Sequence, residues 1–145
     1  MLCIISGTGT PNEDIRLLLN GCWRNYSLFG TVLTSDFPFV NCLAGSTNVP
    51  EVAFTCLPTD PLPDSWRNQE PFYVSRHRTP SGQSRFYFYR SETCDIMRFT
   101  DIADFYLWPR RIVGDLLDPA NDWIEIFLLG TVLSFWLERQ EIAAL

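Results

Sequence analysis

The residues best suited to binding chemistry are the basic side chains between positions 76 and 90. Arg76, His77 and Arg78 are consecutive, and Arg85 and Arg90 follow on the next predicted strand. A guanidinium presents a planar fork of N–H donors that matches a carboxylate or a phosphate. The segment therefore predicts a site for an anion or for a carboxylate-bearing peptide. A simpler interpretation, in which these arginines only form the solvated face of a strand, stays open at this stage.

The absence of lysine excludes several kinds of enzyme. All eleven basic residues are arginine, so the chain has no phosphate-loop lysine, no Schiff-base lysine and no lysine general base. The glycine-containing stretch at residues 6–10 precedes a predicted helix, but it lacks the Gly-Lys-Ser/Thr of a phosphate loop. His77 has no evident nucleophile beside it in the sequence. We therefore predict a chain that is not an enzyme, with no kinase or ATPase activity of its own.

The cysteines do not predict a metal site or a disulfide framework. They are five in number and irregularly spaced, without a Cys-x-x-Cys pair, and the chain has a single histidine. Structural zinc sites need four such ligands at regular spacing, and disulfide frameworks use cysteines in even numbers. The apolar start of the chain is too short for a signal peptide. These features predict a cytoplasmic protein without a metal or other cofactor.

An aromatic run at residues 86–89 allows two interpretations. Its sequence Phe-Tyr-Phe-Tyr is similar to the strands on which RNA-binding sheets stack bases. However, the formal net charge of −6 repels nucleic acid and anionic membrane surfaces alike. Strand alternation would place Phe86 and Phe88 on one face and Tyr87 and Tyr89 on the other. This arrangement favours a core sheet covered by a helix, and we expect neither nucleic acid nor membrane as a partner.

The elements that must position these side chains are mostly strands. We predict a leader with a short helix over residues 1–24 and one α+β domain over residues 25–145. The predicted sheet is mostly antiparallel, has five to seven strands between Tyr26 and Leu117, and includes a hairpin over residues 72–90. Its strands are predicted at residues 26–33, 52–57, 72–76, 85–90, 96–100, 105–108 and 112–116.

A long apolar helix is predicted at residues 123–139, after the turn formers of residues 118–122. Its apolar side chains form a wider band than one sheet face requires, so we expect part of it to face a partner, with Phe135 and Trp136 as interface residues. A homodimer is one such arrangement. The helix is too short for a membrane span, which needs about 20 apolar residues.

The chain from Tyr26 to Leu145 resembles the region that precedes the kinase domain in HPr kinase-like proteins, which are serine kinase relatives found in bacterial gene clusters. The resemblance lies in four stretches of the sequence. They are Tyr26-Ser27-Leu28-Phe29-Gly30 with Ser35-Asp36-Phe37-Pro38, then Arg85-Phe86-Tyr87-Phe88-Tyr89, then Arg98-Phe99 with Ala103-Asp104-Phe105, and finally Leu128-Leu129-Gly130-Thr131-Val132-Leu133-Ser134-Phe135-Trp136-Leu137-Glu138-Arg139-Gln140.

This resemblance implies that the parent protein is an ATP-dependent protein or peptide kinase. The ATP-binding loop, magnesium ligands and catalytic base of the family would all lie beyond Leu145. The chain itself would then be a non-catalytic accessory domain that helps to position a substrate or partner for the kinase domain. The alternative is a free-standing binding or scaffold protein of unknown ligand, for which a homo-oligomer is one arrangement. A reading frame continuing past codon 145 into Gly-x-x-x-x-Gly-Lys-Ser/Thr would favour the accessory domain.

Overall fold

The computed structural model describes residues 23–28, 30–40, 43–44, 50–56 and 61–144. These residues form an α+β fold, as predicted, with one mixed sheet and a C-terminal helix. The predicted leader helix lies outside the described residues. The strands are β1 (Arg24–Leu28), β2 (Thr31–Ser35), β3 (Leu43–Ala44), β4 (Val52–Thr55), β5 (Tyr73–Val74), β6 (Phe86–Arg90), β7 (Asp95–Phe99), β8 (Ala103–Trp108) and β9 (Arg111–Leu116).

The sheet contains more strands than the predicted five to seven, because the described residues form nine. One difference arises at Gly30, whose φ of 74° is a left-handed value that favours glycine. The chain reverses there, so the single strand predicted at residues 26–33 is a hairpin in which Leu28 pairs with Thr31. Two-residue strands such as β3 are a second difference, since they are too short to show a period in the sequence.

The strands follow the order β3-β1-β2-β4-β9-β8-β7-β6-β5 across the sheet. Neighbouring strands are antiparallel, except that β4 runs parallel to both β2 and β9. The predicted hairpin over residues 72–90 is confirmed, because β5 and β6 pair in antiparallel fashion. This order makes β5 the last strand at one end of the sheet, so one of its two sides has no neighbouring strand among the described residues.

Alternation along the strands gives the sheet two different faces. Phe86 and Phe88 contribute to the larger apolar cluster, whereas Tyr87 and Tyr89 belong to a smaller cluster on the opposite face, as the aromatic run predicts. We call these the helix face and the tyrosine face. Gly114 lies on the helix face, where an added Cβ would come within 2.9 Å of the Phe54 ring. The core is therefore packed closely at this point.

The C-terminal helix, α1, covers the helix face over residues 123–144. It begins as an α-helix at Trp123–Phe127, continues as a π-helical segment at Leu128–Val132 and ends as an α-helix at Leu133–Ala144. The side chains that it buries in the larger cluster are Ile124, Leu128, Val132, Leu133 and Trp136. None of the helices in the described part of the chain is both long enough and apolar enough to cross a membrane.

Two polar contacts fix α1 on the sheet beside its apolar packing. The Trp136 indole Nε1 donates a hydrogen bond to the carbonyl oxygen of Trp108 over 3.2 Å. Arg139 Nε lies 3.4 Å from Asp95 Oδ2 on β7. The last turns of the helix are thus held against the ends of β7 and β8.

Candidate functional site

The predicted basic residues lie along the β5 end of the sheet, beside which the described residues place no further strand. Arg76, His77 and Arg78 follow β5 after Ser75, and all three side chains are exposed. The backbone of this segment stays beside β6, because Ser75 N donates to Phe86 O over 3.0 Å and Arg85 N donates to His77 O over 2.8 Å. We call residues 72–78 together with Arg85 and Arg90 the arginine edge.

The turn between β5 and β6 brings Arg78 and Arg85 together. Arg85 Nε donates to the Arg78 carbonyl oxygen over 3.0 Å, while Arg78 Nη1 lies 3.4 Å from Gly82 O. Thr79 N donates to Gln83 O over 2.7 Å and closes the turn. Backbone contacts thus order both arginine side chains, and their remaining N–H donors are available to an anion.

Arg90 does not join this group. It is five residues beyond Arg85 along an extended chain, which places the two Cα atoms roughly 16 Å apart. Its guanidinium instead lies over the Phe72 ring, 4.2 Å from the ring centroid. The five predicted residues therefore form a strip along one end of the sheet rather than a single pocket, and such a strip suits an extended ligand better than a small anion.

The charge of this strip is opposite to that of the rest of the chain. Residues 71–91 contain four of the eleven arginines and none of the seventeen carboxylates. The remainder of the chain consequently carries a formal charge of −10. Positive and negative charges are thus separated in the sequence, so the arginine edge favours anions locally while the net charge of the remainder disfavours them.

The tyrosine face carries a second group of polar residues that sequence reasoning missed. Arg98 on β7 forms a bidentate pair with Asp104 on β8, with Nε to Oδ1 at 2.8 Å and Nη2 to Oδ2 at 2.9 Å. Arg67 lies 3.7 Å from the same carboxylate. The hydrogen bond that Arg98 donates to Asp104 raises the pKa of Arg98. These residues line an open cavity of about 630 Å³ that also reaches Tyr87 and Asp115.

Trp66 sits beneath this cavity and is fully buried. The guanidinium carbons of Arg67 and Arg98 lie 4.6 Å and 4.9 Å from its ring centroid, and its Nε1 donates to Pro63 O over 2.8 Å. Since the two cations already contact an aromatic ring and a carboxylate, they are largely occupied within the fold. We interpret this group as structural. Only the β7–β8 register, which pairs Arg98 with Asp104, could have revealed it.

A buried carboxylate and a half-buried thiol meet where β2 and β4 end. Asp36 is 4% exposed and accepts hydrogen bonds from Thr55 Oγ1 over 2.5 Å and from Cys56 N over 3.2 Å. Burial and the neighbouring Asp36 charge raise the pKa of the Cys56 thiol to about 12. A catalytic cysteine requires a lowered pKa to supply thiolate, so this pair does not have the properties of a nucleophile and its base.

The Asp36 carboxyl makes stability depend on pH. Burial raises its pKa above the ordinary 3.8, although the hydrogen bonds from Thr55 and Cys56 act in the opposite direction. The folded chain therefore holds this proton more tightly than the unfolded chain does. Its contribution to stability is complete below pH 3.8 and is lost as the pH rises through the higher folded pKa.

We therefore predict that Asp36→Asn gains stability relative to the natural chain as the pH rises from about 3.5 to about 7. Urea unfolding at several pH values measures this difference in the free energy of unfolding. The same substitution at the exposed Asp122 is the control. If the difference in the free energy of unfolding caused by Asp36→Asn does not change with pH, the Asp36 carboxyl has the same pKa in the folded and unfolded states.

The helix residues predicted at an interface are placed differently from the expectation. Trp136 is 4% exposed and does not face outward, so its assignment as an outward-facing residue is wrong. The Phe135 ring is half-buried and packs against Phe88 with ring centroids 5.0 Å apart. The core beneath α1 is large enough to take both rings. Exposed apolar side chains near the start of the helix are instead Trp123 and Ile126, with 55% and 53% exposure.

Comparisons with known proteins found no match to this chain. No protein-family model matches the sequence, and neither a curated protein nor a solved structure matches the chain. Among the described residues, no group of three or more His, Cys, Asp or Glu side chains could hold a metal ion. Of the arginine edge and the polar group on the tyrosine face, the arginine edge is the more exposed to solvent.

Proposed function

We propose that this chain is a non-catalytic accessory domain that recognises an acidic protein or peptide through the arginine edge. The observation that carries the proposal is the exposed strip of four arginines without a carboxylate in residues 71–91 of an otherwise acidic chain. Substrate positioning beside a kinase domain, as implied by the resemblance to HPr kinase-like proteins, is a role of this kind.

The chemistry of the strip favours carboxylates on a polypeptide over nucleic acid. Arginine binds carboxylate and phosphate equally well in geometric terms. A nucleic acid, however, is a long polyanion whose phosphates would extend beyond the strip. They would then meet the remainder of the chain, which has a formal charge of −10. A short acidic segment can contact the arginines alone. The negative charge of the whole chain thus favours a partner whose own negative charge is confined to a short segment.

His77 also contributes to the surface of the arginine edge. His77 is exposed on the arginine edge, and its backbone N–H donates to the Ser75 hydroxyl over 3.1 Å. That contact orders the backbone and leaves the imidazole at the surface, where it can add a hydrogen bond to a bound carboxylate. Recognition requires no more than this.

Charge reversal tests the proposed function. A fluorescein-labelled octapeptide of alternating glutamate and valine is the probe, and fluorescence anisotropy reports its affinity. Replacing both Arg76 and Arg78 by Glu is expected to weaken binding about tenfold or more, since each exposed ion pair contributes roughly 0.2–1 kcal/mol and reversal adds repulsion. The loss should diminish at high salt.

The matched control replaces Arg24 and Arg110 by Glu. Both side chains are exposed and lie outside the arginine edge, so this double variant has the same net charge as the test variant. It should retain most of the affinity. An equal loss in the two double variants would mean that only net charge matters, and the proposed function would then be wrong.

A free-standing scaffold that associates with itself is the second candidate function. The exposed side chains of Leu117, Trp123 and Ile126 favour it, with exposures of 75%, 55% and 53%. Exposed apolar groups of this kind often mark interfaces. This candidate ranks second because self-association through the start of α1 leaves the charge asymmetry of residues 71–91 without a role.

A further inference from the structure

The end of the sheet at β5 presents backbone hydrogen-bonding groups to the surroundings. Ser75 N donates to Phe86 O on β6, and the preceding residue, Val74, lies opposite Tyr87. Because alternate residues of an antiparallel strand point their N–H and C=O groups to opposite sides, the groups of Val74 point away from β6. Its side chain is 38% exposed. Among the described residues no strand lies on this side of β5, so another strand can pair there.

Proteins usually protect such an edge with charged side chains and short strands. Here the charges are all of one sign, since Arg76 and Arg78 flank the free side and no carboxylate lies within residues 71–91. Two copies of this chain pairing edge to edge would bring these arginines together, and like charges on paired strands are destabilising. The same charges attract a strand that carries carboxylates.

Apolar contacts are available beside the charged ones. Phe72 and Tyr73 are 64% and 55% exposed, although both belong to the segment that pairs with β6. The Phe72 ring is already fixed between the Phe88 ring and the Arg90 guanidinium, with centroid distances of 5.9 Å and 4.2 Å. Rings held in this way offer contact area at a low cost in conformational entropy.

We propose that an extended acidic segment of a partner protein adds to the sheet as a further strand beside β5. This inference rests on the proposed function and specifies how the partner binds. Main-chain hydrogen bonds to Val74 supply affinity, while alternate side chains of the segment supply specificity. Its carboxylates meet Arg76 and Arg78, and its apolar residues contact Phe72 and Tyr73.

Backbone N-methylation of the probe distinguishes strand addition from attraction between charges alone. The unmodified glutamate–valine octapeptide is compared with one methylated at the glutamate amides, one methylated at the valine amides and one methylated at every amide. All four carry the same charge. A peptide methylated along one side can still pair through its other side, because alternate residues point in opposite directions. The fully methylated peptide cannot donate a hydrogen bond to the sheet.

We expect the two half-methylated peptides to bind within about threefold of the unmodified peptide, and the fully methylated one to bind at least about tenfold more weakly, since it cannot donate to the Val74 carbonyl and its methyl groups keep it from approaching the strand. In addition, saturating unmodified peptide should slow hydrogen exchange at the Val74 amide.

The outcomes separate the two proposals. If all four peptides bind equally and the Arg76→Glu, Arg78→Glu double variant weakens each of them, strand addition is overturned while recognition of an acidic partner stands. If the unmodified peptide does not bind, or if its binding is indifferent to the charge reversal, both proposals are overturned. Slow exchange at Val74 that depends on protein concentration without peptide would identify a second copy as the occupant and would overturn this inference.

Discussion

Trp136→Glu is expected to unfold the domain or to lower its free energy of unfolding by more than about 4 kcal/mol. Truncating a buried tryptophan alone costs about 3–5 kcal/mol, and a carboxylate left in the larger cluster adds the cost of an unpaired buried charge. The indole hydrogen bond to the Trp108 carbonyl is lost as well. Because whole domains are stable by only about 5–15 kcal/mol, circular dichroism during urea unfolding should show a large decrease in midpoint.

Ile126→Glu is the matched control on the same helix. Its side chain is 53% exposed, so the same substitution should change stability by no more than about 0.5 kcal/mol. A folded Trp136→Glu variant with an unchanged midpoint would show that α1 does not pack as described. Light scattering of Ile126→Glu also bears on the scaffold candidate, since an interface at the start of α1 would dissociate in this variant.

Trp66→Ala is expected to lower the free energy of unfolding by about 3–5 kcal/mol. The ring is fully buried and packs against Tyr89 and Tyr106, with centroid distances of 4.8 Å and 5.9 Å. Its removal leaves a cavity on the tyrosine face and takes away the aromatic surface beneath Arg67 and Arg98. The decrease in the free energy of unfolding should therefore be severalfold larger than that of an ordinary surface substitution.

Urea unfolding of Trp66→Ala beside Trp23→Ala provides the comparison. Trp23 is 46% exposed, so its truncation should cost about 1 kcal/mol or less. Trp66→Phe retains a ring but removes the hydrogen bond to Pro63 O, worth about 1 kcal/mol, and part of the buried ring volume, so its stability loss should be smaller than that of Trp66→Ala. Equal stability losses at positions 66 and 23 would indicate that Trp66 does not support the tyrosine face.

Local patterns in the sequence predicted the elements that depend on neighbouring residues. The Thr79 to Gln83 turn and the hairpin around it follow from turn-forming residues between two aromatic segments, and the structure confirms them. Alternation alone placed Phe88 and Tyr89 on opposite faces, as observed. The arginine edge could be named because its cations are close together in the chain.

The remaining features depend on contacts between distant segments. The pairing of β4 with β9 and the Arg98–Asp104 register cannot be read from a local pattern, because a strand does not specify its neighbour. The burial of Trp136 also depends on distant contacts. A wide apolar band on a helix does not specify which side of the helix packs on the sheet. Sequence by itself therefore determined the fold class, the β5–β6 hairpin and the cations of the arginine edge. Tertiary structure alone decided that these cations lie along β5, the last strand at one end of the described sheet, and that Trp136 is core. Both depend on which distant segments pack against each surface of the sheet.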